Sequence, residues 1–137
     1  MKRKPAVNSD ELRKRLTDEQ YRITQESGTE APFSGEYNKH KEEGSYKCVC
    51  CGQELFSSEH KYDSGSGWPS FWAPAERNAL SSHRDPALGM VREEVRCSAC
   101  NAHLGHVFDD GPKPTGQRFC INSAALEFAK RGENEGR

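Results

Sequence analysis

Two pairs of cysteines set the tightest limit on how this chain can fold. Cys48-Val49-Cys50-Cys51-Gly52 and Cys97-Ser98-Ala99-Cys100 each contain a C-x-x-C step. That spacing lets two thiolates of one tight knuckle face a single cation, and two knuckles complete a tetrahedral site. The stretch between them, residues 52–96, is longer than the connection in a compact zinc ribbon, so the cation is expected to join two distant hairpins. Four soft thiolates with no imidazole favour zinc over an iron–sulfur cluster. With Cys48, Cys51, Cys97 and Cys100 filling every position, one zinc per chain would be structural rather than catalytic. Two other readings stand beside this one. Three disulfides among the six cysteines are disfavoured in a reducing compartment. Paired redox dithiols would need a thioredoxin-type strand–helix start, and neither C-x-x-C has one around it.

Composition explains why a staple helps. Of 137 residues, 33% are hydrophobic and 30% charged, a lean core for one domain of this length. The domain is expected to span residues 1–137, with an ordered core over about 9–128 and flexible tails at 1–8 and 132–137. A net charge of −1 gives no reason to expect nucleic acid or an anionic membrane as partner. No apolar run approaches a membrane span, and no apolar signal core follows Met1-Lys2-Arg3-Lys4. Asp10 and Glu11 also argue against a transit peptide, so the expected address is the cytoplasm.

The N-terminal segment carries helix signals. Ser9 is a candidate N-cap, followed by Asp10 and Glu11 at the positive end of the dipole. Thr17 and Gln20 have capping-box spacing for a second helix running to about Glu26, with Gly28 as its stop. From Ala31 onward Gly and Pro divide the chain into short runs, with strands expected at 45–48, 54–56, 70–73, 90–96, 103–108 and 118–122. The fold class expected is mainly β, two antiparallel sheets forming a small sandwich or barrel-like core behind short N-terminal helices. A helical turn is expected to close the chain over residues 123–128.

The chemistry concentrates between His103 and Asn122. Two apolar runs flank a loop rich in Gly, Pro and Asp, a strand–loop–strand pattern. Period-two alternation puts Arg118, Cys120 and Asn122 on one face of the second strand, with Phe119 and Ile121 on the other. Antiparallel pairing brings His106 opposite Cys120. A regular strand would send His103 and His106 to opposite faces, but a bulge at Gly105 would bring both round. With the four knuckle cysteines ligating metal, Cys50 and Cys120 are the free thiols, and Cys50 sits inside a knuckle. A thiol among two imidazoles, a guanidinium and an amide is a nucleophile with acids and donors nearby. The blander alternative is a small buried hydrophobe beside structural histidines.

Upstream, Tyr62-Asp63-Ser64-Gly65-Ser66-Gly67-Trp68-Pro69-Ser70-Phe71-Trp72 gathers aromatics around glycines. Trp68 there offers either a flat wall for a methyl group or soft sulfur, or simply a core residue. Trp68-Pro69-Ser70-Phe71, the two knuckles, His103-Leu104-Gly105-His106-Val107-Phe108 and Arg118-Phe119-Cys120-Ile121-Asn122 together resemble methionine sulfoxide reductase B, in order and with compatible spacing from about Leu16 to Phe128.

The resemblance implies reduction of the R epimer of methionine sulfoxide, chiefly in proteins, on two antiparallel sheets. It implies that Cys120 attacks the sulfoxide sulfur and becomes a sulfenic acid. His103 and His106 would bind and protonate the oxygen, Asn122 and Arg118 would orient groups in the pocket, and Trp68, Arg118 and Phe108 would border the substrate. The chemistry agrees, since a sulfoxide oxygen departs poorly until protonated and a cationic neighbourhood favours a thiolate. One departure bears on recycling. Many relatives of that family carry a resolving cysteine where this chain has Ser66, so thioredoxin or another external thiol is the expected reductant, with Cys50 the one internal candidate. The protein is expected to act as a monomer. Two rival classes remain: a zinc-stapled peptide-binding module with an inert Cys120, and a hydrolase using His103 and His106 as metal ligands, with Asp109 and Asp110 nearby.

Overall fold

The computed structural model describes residues 9–38, 40–85 and 92–130. The tails expected to be flexible, and Met90 and Val91 of an expected strand, lie outside the described residues. Helix α1 (Ser9–Arg15) places Asp10 and Glu11 in its first turn and basic residues in its last, matching the helix dipole at both ends. Helix α2 (Asp18–Gln25) starts with the capping box that the sequence encodes. Gln20 N donates to Thr17 Oγ1 at 3.1 Å, and Thr17 N donates to Gln20 Oε1 at 2.8 Å. Its C-terminus differs from expectation. Ser27, not Gly28, takes the left-handed conformation (φ 56°), and Gly28 N reaches back to Arg22 O, the carbonyl that also receives Glu26 N.

Nine strands come next among the described residues: β1 (Gly44–Cys48), β2 (Glu54–Ser57), β3 (Lys61–Tyr62), β4 (Ser70–Phe71), β5 (Leu80–Asp85), β6 (Arg92–Cys97), β7 (His103–Phe108), β8 (Arg118–Ile121) and β9 (Leu126–Lys130). They form two antiparallel sheets, a small one ordered β2-β1-β9 and a large one ordered β3-β4-β8-β7-β6-β5. The expected mainly-β architecture is therefore the one observed. Aromatic rings join the sheets. Phe56 of β2 stacks on Phe71 of β4 at 4.2 Å between centroids, and Tyr46 of β1 meets the same ring edge-on at 5.2 Å. Tyr46, Phe56 and Phe71 are fully buried, and each such ring contributes about 1.5–3 kcal/mol by leaving water. The Tyr46 hydroxyl stays satisfied through His40 Nδ1 at 2.8 Å.

Two local expectations are corrected, and one strand was not expected. Residues 123–128 are not one helical turn: Ser123–Ala125 is a 3-10 turn, and Leu126 begins strand β9, because β1 offers it a full antiparallel partner from Gly44 to Cys48. The strand expected at 70–73 stops at Phe71, where β3 supplies only Lys61 and Tyr62 to pair with. Strand β5, whose Leu-Ser-Ser-His-Arg-Asp sequence has little apolar signal, exists because β6 pairs with it along its whole length at the sheet edge.

The register of β6, β7 and β8 sets both histidines against the thiol. Arg96 opposes His103 and Val95 opposes Gly105, so β7 carries one extra residue, Leu104, between those pairs. This is the bulge expected near Gly105, and it brings the His103 and His106 rings to 5.7 Å. On the other side of β7, Gly105 opposes Ile121 and His106 opposes Cys120. A Cβ at Gly105 would press into the carbonyl oxygen of Cys120 and lie 3.0 Å from Ile121 Cα. Gly105→Ala is therefore expected to lower the urea unfolding midpoint, by the equivalent of about 1–3 kcal/mol for overpacking against rigid backbone. A midpoint equal to that of the unsubstituted protein would contradict this account of the β7–β8 contact.

Candidate active site and metal centre

Each knuckle is the tip of a hairpin, and the two hairpins belong to different sheets. The first turns β1 into β2, the second β6 into β7. They share one backbone pattern. Cys48 N donates to Gln53 O and Gly52 N to Cys48 O, while Cys97 N donates to Ala102 O and Asn101 N to Cys97 O. Each ends on a residue with positive φ, Gly52 at 84° and Asn101 at 69°, the two residue types that take this conformation at least cost. The Gln53 amide spans the two tips, donating to Ala79 O at 3.0 Å and Ser98 Oγ at 3.2 Å.

The sulfurs of Cys48, Cys51, Cys97 and Cys100 all lie within 4.8 Å of one another. Cys48–Cys100 and Cys51–Cys97 are each 3.6 Å apart. That is far beyond a disulfide bond of about 2.05 Å. It matches the separation of roughly 3.8 Å that a tetrahedron of about 2.3 Å metal–sulfur bonds requires. Left without a cation, the four could not all be thiolates: the Cys48 thiol is driven far up, Cys100 foremost among the responsible neighbours, while Cys51 is driven down, again chiefly by Cys100. The donor set thus fits a metal ion held by protein alone. Cys50 stands apart. It is buried, its sulfur accepts from Gln25 Nε2 of α2 at 3.4 Å, and Arg15 of α1 donates to the Val49 and Cys50 carbonyls.

Cys120 is half-buried on β8, with Ser70 of β4 opposite on one side and His106 of β7 on the other. Its sulfur lies 3.4 Å from Arg118 Nη1 and 3.4 Å from Ser66 Oγ. Arg118 is clamped for this contact. Asp110 receives Nε at 2.9 Å and Nη2 at 3.2 Å, and the guanidinium sits 4.5 Å over the Phe108 ring. Ser66 Oγ accepts from Ser64 Oγ and from Trp68 N, so the hydroxyl proton is left for the sulfur. A cavity of about 90 Å³ opens here, lined by Trp68, His106, Phe108, Cys120 and Asn122 together with Thr29, Arg92 and Gly105. It admits the end of one side chain, well short of the ~300–1,000 Å³ that drug-sized ligands occupy.

Behind the cavity the polar groups are tightly held. Asn122 is buried, accepting from Glu30 N at 3.0 Å and donating to Leu104 O at 3.0 Å. The Glu30 carboxylate receives the Ser123 and Ala124 amides, and its carbonyl receives Trp68 Nε1 at 3.0 Å. Burial raises the Glu30 carboxyl above its ordinary range, with those two amides pulling the other way. His103 is buried, and its Nδ1 lies 2.6 Å from Glu94 Oε2. Burial pushes His103 toward the neutral form, while Glu94 opposes that.

The SelR domain family matches residues 16–130. A protein of Hahella chejuensis named peptide methionine sulfoxide reductase MsrB is 61% identical over 121 residues, covering 88% of this chain and 87% of that one. One of the same name from Thioalkalivibrio sulfidiphilus is 60% identical over 122 residues, covering 89% of each. Methionine-R-sulfoxide reductase B1 of Drosophila melanogaster is 55% identical over an alignment of 137 residues, covering 91% of this chain and 66% of that one. This chain belongs to the methionine sulfoxide reductase B family. Membership places it among the oxidoreductases.

In this reductase-family chain, the cavity collects Cys120, His106, Asn122, Trp68 and Phe108, all singled out from the sequence. Arg118 reaches it through the sulfur, and His103 stands behind His106 on the bulged strand. The metal-hydrolase alternative finds no ligand cluster: among the described residues the groups placed to share a metal ion are the four cysteines, and Asp110 is taken up by Arg118. Sequence inspection missed Glu30, Glu94, Ser64 and the contact of Ser66 with Cys120. Of these, Glu94 had a local signal, an acid two residues before its partner Arg96 in a strand candidate, but its other partner, His103, is on another strand.

The metal centre predicts linked loss of ion and fold. One equivalent of metal per chain should copurify by elemental analysis. Cys48→Ser and Cys100→Ser should each lose it and unfold at a much lower temperature, because ligation energy of order 10 kcal/mol contributes directly to folding. A metal-free chain with an undiminished melting temperature would remove the centre from the fold's stability.

Proposed function

We propose that this chain reduces methionine-R-sulfoxide, free or protein-bound, to methionine, with Cys120 as the nucleophile. The observation that carries the proposal is the placing of one thiol between a guanidinium and a hydroxyl, opposite an imidazole, at a cavity sized for a side-chain terminus. The Arg118 N–H aimed at Sγ stabilises negative charge there, and a thiolate is the attacking species. Trp68 and Phe108 wall the cavity with aromatic surface suited to a methyl group and soft sulfur. As Sγ bonds to the sulfoxide sulfur, His106 and His103 hold and donate the proton the oxygen needs, and Asn122 fixes the end of β8 beside them. In net terms the oxygen passes to Cys120: the substrate sulfur is reduced by two electrons and Cys120 is oxidised to a sulfenic acid. An adjoining cavity of about 440 Å³ shares Arg92 and Phe108 with the first and offers room for polypeptide beside the oxidised residue.

Zinc is the ion proposed for the four-thiolate site, as the softer donor set without imidazole favours it. When bound it supplies structure, with no open position. Cys48, Cys51, Cys97 and Cys100 would hold it. Recycling is proposed to use thioredoxin or another external thiol. The first thiol condenses with the sulfenic acid to a mixed disulfide and water, and a second thiol releases Cys120 and a disulfide. The support is local: Ser66 occupies the place beside the sulfur, and Cys50 is packed beneath α2. Oxidised proteins are the substrate proposed, for a monomeric enzyme in a reducing, cytoplasmic compartment, in keeping with six cysteines that form no disulfide among themselves. No helix among the described residues is long and apolar enough to cross a membrane.

The deciding assay measures methionine formed from separate R and S sulfoxides. Turnover of the R epimer is expected, and turnover confined to the S epimer would refute the proposal. Cys120→Ser should lose all turnover with its fold and metal intact, since an unassisted hydroxyl is a far weaker nucleophile than a thiolate.

Recycling has its own test. Stoichiometric substrate should leave a Cys120 adduct with dimedone and no Cys50–Cys120 bridge by mass spectrometry. Cys50→Ser should turn over normally with a small thiol, and Ser66→Cys should convert the product to an intramolecular disulfide. Finding a Cys50–Cys120 disulfide in the unsubstituted protein would replace the external route with an internal one.

A further inference from the structure

We propose that Glu94 is the positioning residue for the acid in this reaction: its carboxylate fixes the ring of His103 and supports the positive charge that ring carries before it gives up its proton. This rests on the proposed reduction of methionine-R-sulfoxide by Cys120. Glu94 lies on β6 opposite His106, and with Glu30 it is one of two buried acidic residues among those described. Glu30 receives the Ser123 and Ala124 amides and the Ser123 hydroxyl, whereas Glu94 divides its oxygens between two ionisable side chains. Oε2 lies 2.6 Å from His103 Nδ1 and Oε1 lies 3.0 Å from Arg96 Nη2.

An ionised carboxylate offers acceptors only, so His103 must present N–H at Nδ1. The mobile proton is thereby assigned to Nε2. That atom is buried and has no hydrogen-bond partner among the described residues. A histidine kept only for structure would have both nitrogens paired, because a buried polar atom without a partner costs free energy. Here the pairing is completed at one nitrogen and left open at the other, beside His106 and the cavity it lines. A carboxylate behind an imidazole holds its tautomer and orientation and stabilises the imidazolium, the role it plays in hydrolase triads.

The surroundings set the sign of the effect. From β6, Glu94 favours the charged ring and Arg96 disfavours it, and on its own strand His106 disfavours it. β8 brings Arg118 and Cys120 beside His106, and the buried residues of α2, which packs on β7, are the uncharged Ile23 and Thr24. Burial works to raise the Glu94 carboxyl, but hydrogen bonds from Arg96 and His103 outweigh it, so Glu94 stays ionised. In the step itself, the sulfoxide oxygen takes the proton from Nε2 as Cys120 Sγ bonds to the substrate sulfur. His103 is left neutral and regains a proton from solvent before the next turnover.

The test is a single-turnover measurement of methionine release across pH, combined with side-chain ¹⁵N NMR of His103 in the resting, metal-loaded enzyme. Glu94→Gln keeps size and an acceptor but removes the charge. It should slow release at least ~10-fold at neutral pH, within the ~10²–10⁴-fold that acid catalysis supplies, with substrate affinity unchanged. It should also move the limb that needs protonated imidazole, and the His103 titration, to lower pH. Arg96→Gln removes the opposing cation and should move both to higher pH. Opposite displacements from two neighbouring substitutions are outside what a purely structural role produces. Should Glu94→Gln fail to retain metal, the Arg96→Gln titration alone decides: an upward shift supports the proposal. Unchanged pH profiles and titrations in the folded variants would overturn it. If the unsubstituted protein released no methionine, the reduction would fall while the NMR titrations still judged the Glu94–His103 link.

Discussion

Two hairpins from different sheets end at the same four sulfurs, and the rest of the molecule depends on that meeting. A lean core of stacked rings holds β2 against β4, and its small outlying members, Val49, Ala99 and Ala102, reach the tips of β1–β2 and β6–β7. Sulfurs 3.6 Å apart in two pairs supply the junction. Four such groups as thiolates would crowd negative charge that a bound cation offsets, so ligation and folding are expected to be linked. Arg15 and Gln25 then seat both N-terminal helices on the first knuckle, so even the helical cover refers back to the metal centre.

The same junction reaches the chemistry through short lengths of strand. Glu94 precedes Cys97 by three residues and His103 follows Cys100 by three, so both partners of the buried pair lie on the strands that leave the second knuckle. The extra residue in β7 turns His103 and His106 to a common side, and pairing with β8 sets His106 across from Cys120. Arg118 approaches from the far side, braced by Asp110 and Phe108. The candidate metal centre and the proposed chemistry therefore draw on different groups of shared strands: four sulfurs at the tip, imidazoles and a thiol along the length.

Ser66 and Glu30 show how much of the site comes from segments that are not strands. Ser66 lies in a turn held by Ser64 and Trp68, and its hydroxyl completes the sulfur's surroundings. Glu30 lies between the helices and β1, yet it fastens Trp68, Asn122 and the turn after β8 to one another. Such residues adapt the cavity without altering either sheet.

Much of this was legible in the chain itself. The capping box at Thr17 and Gln20, the knuckles, the strand at 103–108 and the face shared by Arg118 and Cys120 all come from local spacing, and local spacing is set by backbone geometry that needs no distant partner. Even the bulge was marked by a glycine between two histidines. Strands β5 and β9 were not legible, because one is a polar edge and the other takes its form from β1, far away in sequence. Nor were the Glu94–His103 pair, the clamp of Asp110 on Arg118 or the hydroxyl beside Cys120. Sequence alone determined which residue types were present and which face of its own strand each took. Tertiary structure decided which of them touch, because hydrogen-bond partners across strands are fixed by register and by which strands lie side by side, and those are properties of the packed sheet, not of any local stretch.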